Sequence, residues 1–350
     1  MQSGAILFAG DFWFGASDFG LAQGFRRLGI EVHELTAARF LVGYQNIALK
    51  PLARMVNNIG VREYNKEIIG SARQLKPSIF ITVKGNYVKP STLNFLNKAG
   101  IKTVNFYPDF RFTYASIDQS TFPLYSLFVT TKSFHLPYLK QQLGAEKVRF
   151  LHHGYSSDVH QPPLSEAPRS RESVDILYVG TYTKAKENWL SGVRNRFPKL
   201  NIQIFGHGWK HAVTDKALAS CIQGRAIYGM NYAWAVNQAK INLAIHMGAA
   251  DKTGWEDLVS TRTFEIPACK GFMLHVDNEE VRQLYMPGEE IDVFGNEESL
   301  YQQIDFYLNN PEMRERMIER AYKKCVPAYS YDARAATLRD WIFEVDNEPK

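Results

Sequence analysis

The chain has 350 residues, 45% hydrophobic and 22% charged, with a formal net charge of +5. That is the composition of a water-soluble globular protein, long for one core and sufficient for two domains. No apolar run nears the roughly 18 residues of a membrane-spanning helix, Met1-Gln-Ser-Gly-Ala5 does not open a secretion signal, and Cys221, Cys269 and Cys325 are too scattered for a zinc or redox motif.

Reduced thiols in a cytoplasm are therefore expected. The charge is uneven along the chain. Residues 1–150 hold 18 Lys and Arg against 9 Asp and Glu, and the remainder holds 23 against 27. A basic first half suits an anionic partner such as a lipid phosphate, a charged polysaccharide or nucleic acid, although solvated surface accounts for it as well.

Short apolar runs alternate with amphipathic stretches throughout. In the first half the runs predict strands at 5–10, 31–35, 78–84, 103–107, 127–131 and 148–152. Most are continuous rather than alternating, as parallel strands covered by helices on both faces require. The first strand leads into Gly10-Asp-Phe-Trp-Phe-Gly15, which is not the G-x-G-x-x-G of a nicotinamide site. Basic and bulky apolar residues mix over 36–57, including Arg39, Phe40, Leu41, Tyr44, Lys50, Arg54 and Met55. Such a stretch either touches a membrane surface or a lipid-linked acceptor, or is a helix with its apolar face on the core. Lys84-Gly85 ends the third strand. Asp109 follows the fourth, placed to bind an acceptor hydroxyl, to act as a base, or simply to hold a turn after Pro108.

A polar, proline-rich stretch at 156–173 marks a linker. Beyond it, strands are predicted at 175–180, 201–206, 226–229, 241–246, 272–276 and 291–294. The first ends at Gly180, followed by Lys184 and Lys186, either of which could neutralise a phosphate if this is more than an ordinary strand–helix turn. The second ends in Phe205-Gly206-His207-Gly208, again allowing close backbone approach by a ligand. His207 and His211 lack a third residue at metal-ligand spacing. The strand at 241–246 opens a long loop containing Glu256 and Asp257, and loops of that length at a strand end are commonly functional.

Next comes Ser260-Thr-Arg-Thr-Phe-Glu-Ile-Pro-Ala-Cys-Lys-Gly-Phe-Met-Leu274. Ser260 and Thr261 are expected to cap a short helix, with Arg262 and Thr263 in its first turn, Glu265 further in, and Gly271 as its stop. A helix start carrying free N–H groups and an arginine suits a phosphate, and a carboxylate inside suits hydroxyls. A sugar nucleotide has both. Glu265 is expected at the ribose, and Asp257 or Glu256 at the sugar, unless that pair merely caps a turn. Residues 331–345 read as an amphipathic helix with Leu338, Trp341, Ile342 and Val345 on one face.

Strand–helix alternation in both halves predicts an α/β protein of two Rossmann-like, doubly wound parallel-sheet domains facing a cleft. The expected division is 1–158 for acceptor binding, 173–330 for the nucleotide sugar, and 331–350 as a helix returning to the first domain.

Thr261-Arg-Thr-Phe-Glu-Ile-Pro-Ala-Cys269, Gly271-Phe-Met-Leu274 and Leu284-Tyr-Met-Pro-Gly-Glu-Glu-Ile291 resemble the signature of spore-maturation-type (CgeB-like) glycosyltransferases. These belong to the GT-B group related to family 4. Leu300-Tyr-Gln-Gln-Ile-Asp-Phe-Tyr-Leu-Asn-Asn-Pro311 and Leu151-His-His-Gly-Tyr155 are similar to other segments of that family. The resemblance implies the GT-B fold and metal-independent, retaining transfer from a nucleotide sugar, with Glu265 at the ribose and Arg262 near the diphosphate. It makes Asp257 the first acid of a two-carboxylate motif, where family 4 usually has glutamate.

A UDP-sugar is the expected co-substrate, Gly180, Lys184, Lys186, Gly206, His207, Thr261, Arg262, Thr263 and Glu265 its binding residues, and no metal or resident cofactor is expected. Asp109, Asp257 and Glu256 are the candidate catalytic acids. The acceptor is expected to be a glycan or lipid-linked molecule, met in the cytoplasm or at the inner face of an anionic membrane. No nucleic-acid recognition motif is present. A nucleotide-sugar epimerase or hydrolase, and a non-catalytic binding protein, are the alternatives.

Overall fold

The chain forms two units in the computed structural model, which describes residues 4–42, 50–163, 174–246 and 254–344. Met1–His153 and Tyr331–Lys350 make unit 1, and Gly154–Ser330 makes unit 2. In unit 1 the elements run β1 (Ile6–Ala9), α1 (Ser17–Arg27), β2 (Val32–Leu35), α2 (Lys50–Leu75), β3 (Ile79–Val83), α3 (Pro90–Lys98), β4 (Lys102–Tyr107), β5 (Leu127–Thr130), α4 (Leu136–Leu143) and β6 (Val148–Phe150). All six strands pair in parallel, in the order β2-β1-β3-β4-β5-β6. The apolar runs Ile6-Leu-Phe-Ala9 and Ile79-Phe-Ile-Thr-Val83 are buried throughout, which is why they show no alternation.

Unit 2 continues with β7 (Ile176–Val179), α5 (Lys184–Arg196), β8 (Ile202–Phe205), α6 (Trp209–Ala212), α7 (Lys216–Ala219), α8 (Gly229–Gln238), β9 (Ile241–Ala244), α9 (Arg262–Ala268), β10 (Met273–Val276), α10 (Glu279–Leu284), β11 (Asp292–Phe294), α11 (Glu297–Asn309) and α12 (Pro311–Cys325). Its five strands are also parallel, ordered β11-β10-β9-β7-β8. Apolar layers cover both faces of the sheet, one around Phe264 and Tyr285 and the other around Trp209, Phe272 and Leu300.

The strand expected at 226–229 does not form. The edge beside β8 is taken by 221–225 instead, where the Ile204 N–H donates to Cys221 O at 3.0 Å and the Gly206 N–H to Arg225 O at 3.0 Å. Ile227 then turns into the core and Gly229 already starts α8.

Unit 1 ends at His153, before the expected 158, because the following residues pack with unit 2. Tyr155 is buried there, and its N–H donates to Tyr329 O at 3.2 Å. Residues 164–173 of the expected linker, 43–49 of the basic–apolar stretch, including Tyr44, and Val345 lie outside the described residues. Of the remainder of α2, Tyr64, Ile68 and Ala72 face the core, whereas Met55 and Ile59 are exposed. Among the described residues no helix is long and apolar enough to cross a membrane. The three cysteines are buried, and no disulfide joins them.

The last helix, α13 (Tyr331–Glu344), packs in unit 1 against α1. Two glycines one turn apart permit this. A Cβ on Gly20 would fall 2.5 Å from the Tyr331 ring, and one on Gly24 would fall 2.8 Å from the Ala335 Cβ. The Tyr331 hydroxyl donates to Ser17 Oγ at 2.7 Å, and Leu338 and Ile342 are buried. Gly24→Val is expected to lower the stability of unit 1 by about 1–3 kcal/mol through overpacking, read as an earlier urea transition; an unchanged transition would show that the two helices do not meet there.

Candidate functional site

In unit 2 the strand order reverses between β7 and β9. At such a switch point the connections leave on opposite sides and a crevice opens beyond the strand C-termini, where α/β sheets bind ligands. The β7–β8 ladder holds through four pairs to Val179↔Phe205, but β7 and β9 pair only at Ile176↔Ile241 and Leu177↔Asn242. Carbonyls past that point lack a ladder partner. Arg262, the first residue of α9, supplies one: Nη1 donates to Val179 O at 3.2 Å and Nη2 to Ile245 O at 3.0 Å. The guanidinium carbon also lies 5.6 Å from the centre of the Tyr178 ring, close enough for a cation–π contact. Arg262 Nε and the Tyr178 hydroxyl are buried with no hydrogen-bond partner among the described residues.

Glycine is required above this cation. A Cβ on Gly180 would lie 2.6 Å from the Tyr178 hydroxyl and 2.8 Å from Arg262 Nη1. Gly206, with φ of +147°, approaches so closely that a Cβ there would fall 2.0 Å from Gly180 O. The Gly180 N–H donates to Phe205 O at 2.9 Å, and buried Trp209 donates through Nε1 to Gly180 O at 2.8 Å. His207, beside Gly206, is exposed, with Nε2 2.6 Å from the Tyr228 hydroxyl.

Thr183 caps α5 by accepting from the Lys186 N–H. This carries the Lys186 side chain inward, where Nζ donates to Thr181 O at 3.0 Å. Burial pushes its ammonium down to about 7, with Arg262 acting in the same direction and Asp257 opposing. Lys186, Arg262 and Asp257 are therefore electrostatic neighbours. Asp257 is half-buried, whereas Glu256 is exposed. Lys184 is placed differently, donating to Glu187 Oε2 at 3.1 Å and Thr214 Oγ1 at 2.8 Å. Burial works to raise the Glu187 carboxyl, but the hydrogen bonds from Thr214, Tyr182 and Lys184 outweigh it and hold the group at about 2. Glu187 thus ties the loop after Gly180 to the 214–215 segment.

The expected caps at Ser260 and Thr261 are not made. The Thr263 N–H already donates to Ser260 O and the Phe264 N–H to Thr261 O, so Thr261 has helical φ and ψ and its side chain cannot fold back onto the turn. Ser260 Oγ is buried with no partner among the described residues. At the other end Lys270, not Gly271, takes the left-handed conformation, with φ of +54°. Gly271 is needed for space, since a Cβ would lie 2.6 Å from Val236. Lys270 pairs with Glu319 at 2.6 Å.

Thr263 is fully buried and its hydroxyl lies 3.0 Å from His275 Nε2. His275 Nδ1 is 2.7 Å from Val276 O and must carry the proton of that bond. Burial pushes His275 down to about 4, so it is neutral near pH 7 and its Nε2 is an acceptor. That nitrogen's single lone pair is shared by the Thr263 hydroxyl and His246 Nε2, which is 2.8 Å away. The Thr263 hydroxyl is thus committed inside the unit, under the site.

Glu265 lies on the other side of α9, partly exposed, with His160 Nε2 3.7 Å from its Oε1. Buried Tyr232 is beside it, held un-ionised by burial and by the Glu265 charge. Tyr178, Tyr232, His160 and His275 all escape notice in the sequence, since each is a single polar or aromatic residue in an apolar run or a turn. Asp109 belongs to unit 1, where its Oδ2 is 2.9 Å from Lys84 Nζ. Burial and the Asp109 charge push nearby Tyr114 up to about 12.

Unit 1 has its own switch point, between β1 and β3. The recess there is lined by Gly10, Asp11, Asp18, Thr82, Lys84 and Asn86. Asp18 is buried and accepts the Asp11 N–H at 2.6 Å and the Phe19 N–H at 2.9 Å, closing the loop after β1. Lys84 is held at φ of +67°.

No protein of curated function matches the chain. Residues 183–340 match the model of a family described as glycosyl transferase-like. Among solved structures, sucrose-phosphate synthase from Thermosynechococcus elongatus aligns with a TM-score of 0.65 at 10% identity, over 98% of this chain and 99% of that one. Anabaena HepE in complex with UDP aligns at 0.61 and 10% identity, over 97% and 100%. A UDP-N-acetylglucosamine 2-epimerase aligns at 0.56 and 11% identity, over 100% and 99%. At these identities the likeness is one of fold: two parallel-sheet α/β domains of the GT-B class.

Proposed function

We propose that the chain is a glycosyltransferase that moves a sugar from a nucleoside-diphosphate sugar to a glycan or lipid-linked acceptor, as an enzyme of the spore-maturation (CgeB-like) type. The observation that carries this is the cationic pair Arg262 and Lys186 under Gly180, at the switch point of unit 2. A diphosphate laid over Gly180 and Gly206 meets backbone without side-chain obstruction, above the Arg262 guanidinium and beside the Lys186 ammonium, whose charged form the anion would favour. Glu265 accepts the ribose hydroxyls, the His207 loop borders the base, and Asp257 faces the sugar. Fixed cations stabilise the charge that develops on the leaving diphosphate, so transfer proceeds without a metal and, in this reading, with retention. A UDP-sugar is favoured because a structural neighbour was solved with UDP-glucose. In unit 1, Asp109 on Lys84 serves the acceptor hydroxyl, and the basic surface favours an anionic membrane.

A second function, epimerisation of the nucleotide sugar, draws support from the epimerase likeness. The match of 183–340 to a transferase-like family and the higher TM-scores of transferases weigh against it. Incubation with UDP-sugar alone separates the two, since an epimerase converts the donor without an acceptor.

UDP or a UDP-sugar at about a hundred times its Kd should add nearly 3 kcal/mol of stability, seen as a raised Tm. Glu265→Ala and Arg262→Ala are each expected to abolish that rise; a full rise in both refutes the site. The pH dependence follows from Lys186, whose free-state value is about 7. A bound diphosphate favours the charged ammonium and raises that value, so binding takes up a proton between the two. Affinity should therefore be flat below pH 7 and fall above it, by at most about tenfold per pH unit. Calorimetry across pH 6–9 checks this, and Lys186→Met should remove the slope.

A further inference from the structure

We propose that His160 is a positioning residue that orients the Glu265 carboxylate for the hydroxyls of a ribose; this rests on the assignment of Glu265 to the nucleotide. His160 lies in a tight turn in which the Val159 N–H donates to Ser156 O at 3.1 Å and the His160 N–H to the same oxygen at 2.8 Å. The turn folds the imidazole back so that Nδ1 accepts the Ser156 N–H at 3.0 Å. A ring nitrogen that accepts from a backbone amide carries no proton, so the single proton of the neutral ring is on Nε2. The side chain is 5% exposed, and burial favours the neutral ring, with Glu265 opposing. Its Nε2–H is then the atom facing Glu265 Oε1, at 3.7 Å.

The ring plane is set as well. His160 meets Tyr232 edge to face, with centroids 5.6 Å apart and planes at 84°. A rotated imidazole would lose both this contact and the amide bond from Ser156. At 3.7 Å the contact to Glu265 is longer than a hydrogen bond, so the carboxylate is guided but not locked. Contacts of this kind commonly shorten when a ligand engages the other partner. With one oxygen facing His160, the other is turned to the ribose.

Two measurements test this on the full chain. In ¹⁵N-histidine spectra, with His160 assigned by its loss in His160→Gln, the expected ring is protonated on Nε2 and its Nε2 signal moves in Glu265→Gln. An Nδ1-protonated ring, or a signal indifferent to Glu265→Gln, overturns the proposal. Calorimetry then compares UDP with 2′,3′-dideoxy-UDP. Hydrogen bonds to a charged carboxylate should favour UDP by about tenfold to a hundredfold. His160→Phe should lose most of that preference, and His160→Gln, which keeps a donor, should recover part of it. Full preference in His160→Phe with loss in Glu265→Gln overturns the positioning role and leaves the ribose assignment standing. No preference in the wild type, or no loss in Glu265→Gln, removes the ribose assignment and the role of His160 together.

Discussion

Much of unit 2 is arranged around one half-buried cation in a fork between two strands. Parallel strands that part company leave carbonyls pointing at nothing, and an unpaired buried carbonyl is costly. Arg262 answers the carbonyls of Val179 and Ile245 together. A planar guanidinium can do this because its donors are fixed in a fork; a lysine presents a single point charge. Having taken that place, the cation constrains its neighbours. It helps hold His275 neutral and Lys186 low, and it leaves no room for a side chain at Gly180.

The backbone around the cation is rigid for reasons that are independent of any ligand. Gly180 and Gly206 bring two strand ends into contact, and Trp209 bonds across them from below. Glu187 gathers donors from Thr214, Asp215, Tyr182 and Lys184. A carboxylate so surrounded stays ionised despite its burial. The backbone under Gly180 is therefore held by its own hydrogen bonds, and an anion bound there, as proposed, would require little ordering of that backbone.

The two units share a plan and differ in the sign of its chemistry. Each is a doubly wound parallel sheet with one switch point. In unit 2 that point is cationic. In unit 1 it carries the carboxylates of Asp11 and Asp18 next to Lys84. The overall charges run the other way, since 1–150 is basic and the rest is mildly acidic. Net charge is a property of the solvated surface, and it does not forecast the sign of a recess built from a few buried groups.

Mostly apolar runs between turn residues were enough to foretell eleven strands among the described residues and the α/β class, because a strand covered on both faces buries nearly every side chain and so shows no strict alternation. The same logic failed at 226–229, where an edge position was taken by neighbouring backbone. Gly180, Gly206, Lys186 and Arg262 were legible as candidates from their places at strand and helix ends. The partners that give them their properties were not. Tyr178, Tyr232, His160 and His275 are separated in sequence from Arg262, Thr263 and Glu265, and only the packing of β7, α8, β10 and the 156–160 turn against α9 brings them together. Local pattern determines which segments become strands and helices, since it records what each segment can bury. Which carbonyls are left unpaired, and which side chain must answer them, is decided only when the strands are ordered in the sheet.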